Sequence, residues 1–269
     1  QHVNSFPGRW LISPKTWKRY EFRYIRKASH VITVTKEAAD HYVESTGADP
    51  SKFHVVPNTV LTSFYQDHST ETEIVKRYET DFGILYLGDT GLRRGLATAI
   101  RSLKYLVENI PKVRLIVVGK SKADGILKEL VRNEGLEQYV DFEGWQDMKK
   151  FPSYIQASRV GICPIHKNPH HDTTYANKLF QYLAFGLPIV VSDCDAQQHL
   201  VEEYQCGEVF KDRNEKDMAE KILKLAMDKD YYDQLSENGR NAVRNDLNWD
   251  VFCKELLNLY EVEEDRSEQ

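Results

Sequence analysis

Two segments of the sequence combine glycines, cations and amides in patterns suited to binding an anion. The first, GDTGLRRG at residues 88–95, follows an apolar run and precedes a helical pattern. Gly88 and Gly91 would let backbone N–H groups approach a phosphate, and the next helix N-terminus would add a favourable dipole. Arg93 and Arg94 would clamp a diphosphate through charge-assisted hydrogen bonds. Alternatively, the glycines only shape a tight turn and both arginines are solvated. The spacing departs from G-x-G-x-x-G, so a nicotinamide enzyme is not indicated.

The second segment spans residues 166–193, HKNPHHDTTYANKLFQYLAFGLPIVVSD, and predicts a polar loop that enters a helix. Thr174, Lys178, Gln181 and Phe185 are four, three and four residues apart, so they would share one face of that helix. At the carboxyl ends of parallel strands, such a face suits an anion with attached hydroxyls, for example a nucleoside diphosphate sugar. A solvated helix face is the alternative interpretation.

A His-His-Asp cluster at residues 170–172 has side chains of the types that bind transition metals. Because adjacent side chains rarely converge on one ion without further ligands, we expect no metal there. We interpret His170 or His171 as a contact to sugar or phosphate, with a solvated loop as the alternative. Trp145 would stack near a nucleobase, and a packed surface aromatic is the alternative.

The elements that must position these residues follow from an alternation of short apolar runs and amphipathic patterns, typical of strand-helix units feeding a parallel sheet. The fold class indicated is α/β, with a Rossmann-like doubly wound parallel sheet over residues 82–246. Its strands are predicted in GILYLG, VRLIVVG, YVDFEG, RVGICPI and LPIVVSD, followed by a shorter strand GEVF, with helices between and after them.

The segment before this domain resembles the C-terminal remnant of a second Rossmann-like domain. Residues 30–58 contain one strand-helix-strand unit, whereas a nucleotide-binding half usually needs βαβαβ. Residues 1–18 predict no strand, and a chain that opens on Gln1 is compatible with a start inside a longer gene product or after processing. We therefore divide the chain into an incomplete N-terminal domain (1–60), a linker with a helix at IVKRY (61–81), the complete domain (82–246), and a closing helix with a frayed tail (247–269).

Composition excludes several other classes of protein. The 269 residues are 41% hydrophobic and 29% charged, as in ordinary globular chains. The formal charge of −5 makes no electrostatic case for binding nucleic acid. The four cysteines form no C-x-x-C pair, so we expect neither a zinc ribbon nor a disulfide framework, and a reduced, cytoplasmic location. No apolar run approaches the roughly 18 residues of a membrane span, so any membrane contact would be peripheral.

The second segment also carries a family resemblance. KLFQYLAFGLPIVVSD resembles the donor-site helix of the retaining GT-B glycosyltransferases of the group 1, or family 4, type. Further parts of the family pattern follow in the expected order over nearly all of residues 20–262. VITVTKEAADHY and FHVVPNTV resemble the end of the acceptor domain and the linker entry, LYLGDTGLRRGLATAI and VRLIVVGK the first two donor-domain units, VDFEGWQDMKKFPSYIQASRVGICP the base-recognition stretch, and NWDVFCKELLNLYE the closing helix.

The resemblance implies transfer of a sugar from a UDP-sugar or GDP-sugar to a glycan or lipid-linked acceptor, with retention of configuration and without a cofactor or an obligatory metal. It also implies a role in cell-surface polysaccharide or glycoconjugate synthesis at the cytoplasmic face of a membrane. Arg94 and Lys178 match the family's phosphate-binding cations, which would stabilise the leaving diphosphate. Gln181 takes the place of the second Glu of the family's Glu-x7-Glu motif, and its amide would hold the ribose hydroxyls.

Besides Gln181, two positions depart from the family pattern. Thr173 stands where the first motif Glu would contact the donor sugar, with Asp172 before it, and Asp89 replaces a common Arg. We predict catalytic roles for Asp172, Thr173 and Lys178. The predicted donor-binding residues are Gly88, Gly91, Arg93, Arg94, Trp145, His170, Thr174, Lys178 and Gln181. Because the family's acceptor-site histidine and N-terminal glycine-rich loop have no counterpart, two alternatives stay open: a non-catalytic donor-binding subunit or fragment that needs a partner chain, and a sugar-nucleotide epimerase.

Overall fold

Two parallel sheets organise the chain, which a computed structural model describes over residues 13–267. Strands β1 (Val31–Thr33) and β2 (Phe53–Val55) pair as a two-stranded sheet. The remaining strands form a six-stranded sheet; in chain order they are β3 (Phe82–Leu87), β4 (Val113–Val118), β5 (Val140–Gly144), β6 (Val160–Cys163), β7 (Ile189–Ser192) and β8 (Gly207–Phe210).

The larger sheet has the strand order β5-β4-β3-β6-β7-β8, and its neighbouring strands are parallel. The chain enters in the middle at β3, extends to one edge through β4 and β5, and returns to build β6, β7 and β8 on the other side. The direction of winding therefore reverses between β3 and β6, which opens a crevice at their carboxyl ends. This topology confirms the predicted α/β class with a doubly wound sheet.

Helices cover both faces of this sheet and extend beyond it. They are α1 (Pro14–Lys27), α2 (Lys36–Thr46), α3 (Ser63–Gln66), α4 (Thr72–Tyr78), α5 (Leu96–Leu106), α6 (Asp124–Asn133), α7 (Phe151–Gln156), α8 (Pro169–Asp172), α9 (Lys178–Ala184), α10 (Asp195–Tyr204), α11 (Glu215–Met227), α12 (Lys229–Asn245) and α13 (Trp249–Ser267). The helix predicted at IVKRY lies within α4.

Alternate residues of the central strand β3 face opposite halves of the core. Ile84 and Tyr86 join an apolar cluster with residues of α5 and α11, whereas Leu85 and Leu87 join a second cluster with residues of α9 and α10. All four side chains are buried. A strand covered on both faces reads as a continuous apolar run, which is why GILYLG predicts a strand without strict alternation.

Helix α9 is shorter than the spacing of its polar residues predicts. Gly186 adopts a left-handed conformation after the helix, and the Leu187 N–H donates to the Tyr182 carbonyl at 3.0 Å. At the other end, the Thr174 hydroxyl donates to the His170 carbonyl at 2.8 Å, which ties Thr174 to the preceding turn. The expectation that Thr174 and Phe185 share a helix face with Lys178 and Gln181 is therefore wrong, because Thr174 precedes α9 and Phe185 follows it.

Helix α1 was not anticipated by the sequence patterns. It starts at Pro14, whose fixed φ suits the first turn of a helix, and it packs on α2 without burying any residue. Residues 1–12, expected to contain no strand, lie outside the described residues. The segment 261–269, expected to fray, is helical as far as Ser267, and residues 268–269 lie outside the described part.

The start of α13 returns the chain to residues 54–60. The Thr59 hydroxyl donates to the Leu247 carbonyl at 2.5 Å, and the Trp249 N–H donates to the Val60 carbonyl at 3.0 Å. His54 Nδ1 lies 3.3 Å from the Glu255 carboxylate. These contacts join the two-stranded sheet and the segment after it to the start and the middle of the C-terminal helix. The domain boundaries stay a prediction. Within the described residues, no helix is both long and apolar enough to cross a membrane.

Candidate functional site

A cleft of about 440 Å³ opens where β1, β2, β3 and β6 end. The residues that line it follow the carboxyl ends of these strands or begin the next helices. Among the predicted site residues, it brings together Gly88, Arg94, His170, Thr174, Lys178 and Gln181. It is also lined by Val34, Asn58, Leu87, Asp89, Phe151, Tyr175, Ala176 and Asn177. The crevice at the reversal of a doubly wound sheet is where such folds bind ligands.

The turn at residues 88–95, here called the anion loop, is fixed by contacts beneath it. The Tyr86 hydroxyl donates to the Asp89 carbonyl at 2.6 Å, and the buried Thr90 donates to the Asp124 carboxylate. Gly119 after β4 has φ +141°, and a Cβ there would lie 1.9 Å from the Gly88 carbonyl oxygen. Glycine at 119 is therefore required for the loop to sit where it does.

The two arginines of the anion loop point to different partners. Arg94 lines the cleft, and its Nε lies 3.5 Å from Asp89 Oδ2. Arg93 is absent from the lining, and its Nη1 lies 3.3 Å from His171 Nε2. The structure thus brings one arginine into the cleft, while Gly91 and Arg93 support the loop behind it. Because neighbouring side chains leave a short 3₁₀ turn in different directions, the sequence spacing alone did not separate them.

Lys178 opens α9 with its ammonium held in a poorly solvated position. The Nζ lies 3.6 Å from the centroid of the Tyr86 ring, and a Cβ on Gly88 would lie 3.5 Å from it. Burial lowers the pKa of Lys178 to about 8, and the charge of Arg94 adds to the shift. A partly desolvated cation beside a second cation gains strongly from an incoming anion.

The two histidines of the second segment have different surroundings. The His171 Nδ1–H donates to the His166 carbonyl at 2.6 Å, which leaves Nε2 to accept from Arg93. His171 is buried, and burial lowers its pKa. His170 is exposed at the cleft, where burial of part of the ring and the charges of Arg93 and Arg94 lower its pKa. His170 is thus the histidine available to a ligand as a neutral hydrogen-bonding group.

Asp172 and Thr173 do not line the cleft. The Asp172 carboxylate lies 3.7 Å from Lys167 Nζ, and burial raises its pKa. The Thr173 hydroxyl donates to the Pro169 carbonyl at 2.9 Å, and the Thr173 carbonyl accepts from the Thr35 hydroxyl at 2.7 Å. Both side chains therefore serve the loop between β6 and α9 in this structure.

Trp145 also lies outside the cleft lining, with 67% of its surface exposed. It follows Gly144 at the end of β5, whereas the cleft lining includes the aromatic side chains of Tyr175 and of Phe151, the first residue of α7. Neither Phe151 nor Asn58, which follows β2, is among the residues predicted from the sequence. The position of Asn58 just beyond a predicted strand end, in a Pro-Asn pair, is the signal that would have suggested it.

The side chains at the cleft determine which kinds of ligand it could bind. Gln181 and Thr174 offer an amide and a hydroxyl, which suit hydroxyl groups of a ligand. Among the described residues, no group of three or more His, Cys, Asp or Glu side chains is placed to hold a metal ion. The cationic groups at the cleft are Arg94 and Lys178, so an anionic ligand with attached hydroxyls fits the arrangement.

Comparison with known families agrees with this geometry. The family model described as glycosyl transferases group 1 matches residues 67–242, more than half of the chain. The chain belongs to the group 1 glycosyl transferases. A second family model, glycosyltransferase family 4, matches residues 2–64. The resemblance noted in the sequence is thereby confirmed for both parts of the chain.

Several named proteins are similar to the chain at low identity. The GDP-mannose-dependent α-(1-6)-phosphatidylinositol monomannoside mannosyltransferase of Mycobacterium tuberculosis is 21% identical over 255 residues, 93% of this chain and 66% of that protein. The capsular polysaccharide biosynthesis glycosyltransferase CapM of Staphylococcus aureus is 21% identical over 244 residues, 87% of this chain and 61% of that protein. Spore coat protein SA of Bacillus subtilis is 22% identical over 185 residues, 66% of this chain and 48% of that protein. The chain therefore spans about half to two thirds of the length of these relatives.

Solved structures share the fold. Anabaena Alr3699/HepE in complex with UDP superposes with a TM-score of 0.79 at 16% identity, covering 93% of this chain and 70% of that one. Sucrose-phosphate synthase from Thermosynechococcus elongatus gives the same TM-score at 18% identity, covering 98% of this chain and 66% of that one. The six-stranded domain and the preceding two-stranded sheet therefore have the GT-B architecture.

Proposed function

We propose that the cleft binds a nucleoside diphosphate sugar, and that this chain provides the donor site of an enzyme that transfers the sugar to a glycan or lipid-linked acceptor. The observation that carries this proposal is the pairing of Lys178 with Arg94 at the reversal point of the sheet. The poorly solvated ammonium of Lys178 gains favourable electrostatic energy when an anion binds beside it. A diphosphate supplies that anion and offers two charged phosphate groups to the two cations that line the cleft.

The remaining polar groups suit the nucleoside and sugar parts of such a ligand. Gln181 lies one helical turn beyond Lys178, so its amide would meet the ribose hydroxyls while Lys178 holds a phosphate. Thr174 and the neutral ring of His170 offer hydrogen bonds to the sugar or phosphate. The cleft volume of about 440 Å³ is within the usual range of small-molecule sites.

Sugar transfer breaks the bond between the anomeric carbon and the β-phosphate oxygen, which keeps the electron pair. The acceptor hydroxyl oxygen forms the new bond to carbon, and its proton passes to the departing diphosphate or to solvent. Negative charge therefore develops on the departing diphosphate, and Lys178 and Arg94 would stabilise it without a metal. We infer that the sugar is transferred with retention of configuration, because the glycosyltransferases that the sequence resembles are retaining enzymes.

The pathway that we propose is cell-surface polysaccharide or glycoconjugate synthesis at the cytoplasmic face of a membrane. It is supported by the relatives that are named for capsular polysaccharide synthesis and for mannosylation of a phosphatidylinositol glycoside. Those names concern whole proteins, of which this chain covers 66% and 61%. We therefore assign acceptor chemistry to the full enzyme and donor binding to the residues described above.

A non-catalytic donor-binding subunit is the second candidate, favoured by one observation. Thr173, at the position of a family carboxylate, donates to the Pro169 carbonyl within its own loop, and the neighbouring Asp172 lies 3.7 Å from Lys167 Nζ. Neither residue lines the cleft. A chain of this kind would bind the donor and depend on a partner chain for turnover. Release of a changed free sugar nucleotide without any acceptor would instead indicate an epimerase.

The test is calorimetric titration with UDP, GDP, ADP and TDP, followed by the matching sugar nucleotides, in chelator and again with Mg²⁺. We expect one nucleotide to bind at micromolar affinity in chelator. Lys178→Ala should weaken that binding by about 1.5–3 kcal/mol, as loss of a charge-assisted contact would. The control Lys216→Ala removes a lysine that is 69% exposed and should leave affinity unchanged. Failure of every nucleotide to bind would overturn the donor-site assignment.

A further inference from the structure

The carboxylate of Asp89 occupies the part of the cleft where the anion loop offers its positive groups. Its Oδ1 accepts from the Gly91 N–H at 3.2 Å, and its Oδ2 lies 3.5 Å from Arg94 Nε. The side chain is 47% exposed and lines the cleft beside Gly88 and Arg94. An anion that belongs to the protein thus already contacts an arginine and a backbone N–H that would otherwise be open to a phosphate.

The backbone at Asp89 is held in place, so the negative charge stays near the site when a ligand enters. The Tyr86 hydroxyl bonds to the Asp89 carbonyl at 2.6 Å, and Thr90 is buried and bonded to Asp124. Rotation of the side chain would free Arg94 but would move the carboxylate by only a few ångströms. At that range a carboxylate still repels a phosphate, most of all at low ionic strength.

The size of this repulsion depends on the charge of the ligand. A nucleoside diphosphate has a terminal phosphate whose second ionisation falls at a pKa of about 6, so it carries nearly one more negative charge at neutral pH than the sugar nucleotide. In the sugar nucleotide that oxygen is esterified. Because Coulomb energy scales with charge, Asp89 repels the free nucleoside diphosphate more strongly than its sugar ester.

We propose that Asp89 is a specificity-determining residue that selects the nucleoside diphosphate sugar over the free nucleoside diphosphate. This inference rests on the proposed function of the cleft. In a transferase the nucleoside diphosphate is the product, and its release often limits turnover. A fixed carboxylate at the phosphate site shortens the time that the product stays bound, at the cost of weaker binding of both ligands.

Asp89→Asn separates this role from a merely structural one. The Asn carboxamide oxygen accepts the Gly91 N–H as the carboxylate does, so the turn is kept while the charge is removed. Asp49→Asn is the matched control, because Asp49 is exposed and its Oδ1 accepts the Ser51 N–H at 2.9 Å with the same spacing in another loop. Neither substitution introduces bulk.

The experiment measures the dissociation constants of UDP and UDP-glucose, and of GDP and GDP-mannose, for the unchanged chain and both variants. We expect Asp89→Asn to tighten binding of the nucleoside diphosphate by about ten-fold and of the sugar nucleotide by about three-fold, so that their ratio changes about three-fold. The change in ratio should shrink between about 50 mM and about 500 mM salt. Asp49→Asn should change neither constant.

The experiment distinguishes failure of the role of Asp89 from failure of the proposed function of the cleft. If the unchanged chain binds both ligands and Asp89→Asn leaves the ratio of their affinities as it was, the role of Asp89 is overturned and the donor site stands. If Asp89→Asn weakens both ligands, Asp89 is instead a binding group and the inference is again wrong. If neither the unchanged chain nor Asp89→Asn binds any nucleotide or sugar nucleotide, the proposed function fails and the inference fails with it.

Discussion

The ammonium of Lys178 lies 3.6 Å from the centroid of the Tyr86 ring, at the carboxyl end of the central strand. The ring face gives the cation partial electrostatic compensation, yet burial still lowers its pKa to about 8. The folded chain therefore carries this charge at a cost, which an anion in the cleft would offset. If the cleft binds a donor as proposed, binding and stability are opposed at Lys178.

Lys178→Met should stabilise the empty protein. Both folded and unfolded states hold the charge at pH 7, but the lowered pKa shows that the folded state disfavours it, so removing it should raise the free energy of unfolding by about 1–2 kcal/mol. Urea denaturation measures this. The comparison variant is Lys224→Met, which removes a lysine 2.6 Å from the buried Glu208 carboxylate and should lower stability instead. A loss of stability in Lys178→Met would contradict the account.

Nucleotide affinity should depend on pH with a midpoint set by Lys178. The charged form binds the anion, and this form is lost as the pH rises through about 8, so affinity should fall by up to about ten-fold per pH unit above that point. Binding at about pH 8.5 should take up protons, which titration in two buffers of different ionisation enthalpy measures. Lys178→Arg keeps its charge and should give a flat profile over this range. A flat profile in the unchanged chain would remove Lys178 from the site.

Gly95→Ala should prevent stable folding. Gly95 ends the anion loop with φ +76°, and a Cβ there would lie 1.6 Å from the Pro164 carbonyl oxygen. Backbone strain and a clash with main chain together should cost more than about 3 kcal/mol. Gly135→Ala is the control for strain alone, since Gly135 has φ +66° with no atom near its missing Cβ, and it should cost about 1 kcal/mol. Thermal unfolding of the two variants checks this, and equal losses would contradict the clash.

Glu143→Gln should lower the free energy of unfolding, because Glu143 of β5 links the end of α4 to α7. The carboxylate accepts from the Tyr154 and Tyr78 hydroxyls at 2.6 and 2.9 Å and pairs with Arg77 at 2.5 Å. Burial alone would raise its pKa, but these bonds outweigh burial and lower it. Its stabilising contribution is therefore complete above the unfolded pKa of about 4.5 and is lost as the pH falls through the lower folded value.

The measurement for Glu143 is the free energy of unfolding between neutral and acidic pH. We expect Glu143→Gln to lose about 1–3 kcal/mol at pH 7 and to show a weaker loss on acidification than the unchanged chain. Glu134→Gln serves as the control, because its pairs with Lys104 and Arg101 lie between α5 and α6 at the surface. A parallel pH dependence in Glu143→Gln and the unchanged chain would exclude the proposed role.

The fold was accessible from the sequence because most strands of the six-stranded sheet are buried on both faces. Such strands read as uninterrupted apolar runs, and their alternation with amphipathic helices predicts the parallel sheet and its crevice. Lys178 and Gln181 were found by their helical spacing, since residues three apart in a helix face the same way. Helix α1 escaped because it buries no residue and carries no apolar run long enough to stand out.

Loop side chains could not be placed in the same way. Arg93 and Arg94 are adjacent, yet one contacts His171 and the other faces the cleft, because a 3₁₀ turn separates their directions. Thr173 matches a functional position by spacing but donates to the Pro169 carbonyl. Hydrogen bonds within an irregular segment depend on backbone angles that no residue pattern specifies.

Gly119 limits any redesign of donor preference in this chain. The Gly88 carbonyl rests so close to it that a side chain at position 119 would displace the anion loop, although Gly119 itself never lines the cleft. Libraries that vary the lining residues to accept a different sugar nucleotide should therefore hold both glycines constant. A side chain at position 119 would displace the whole anion loop, and the resulting change in affinity would be mistaken for a change in donor selectivity.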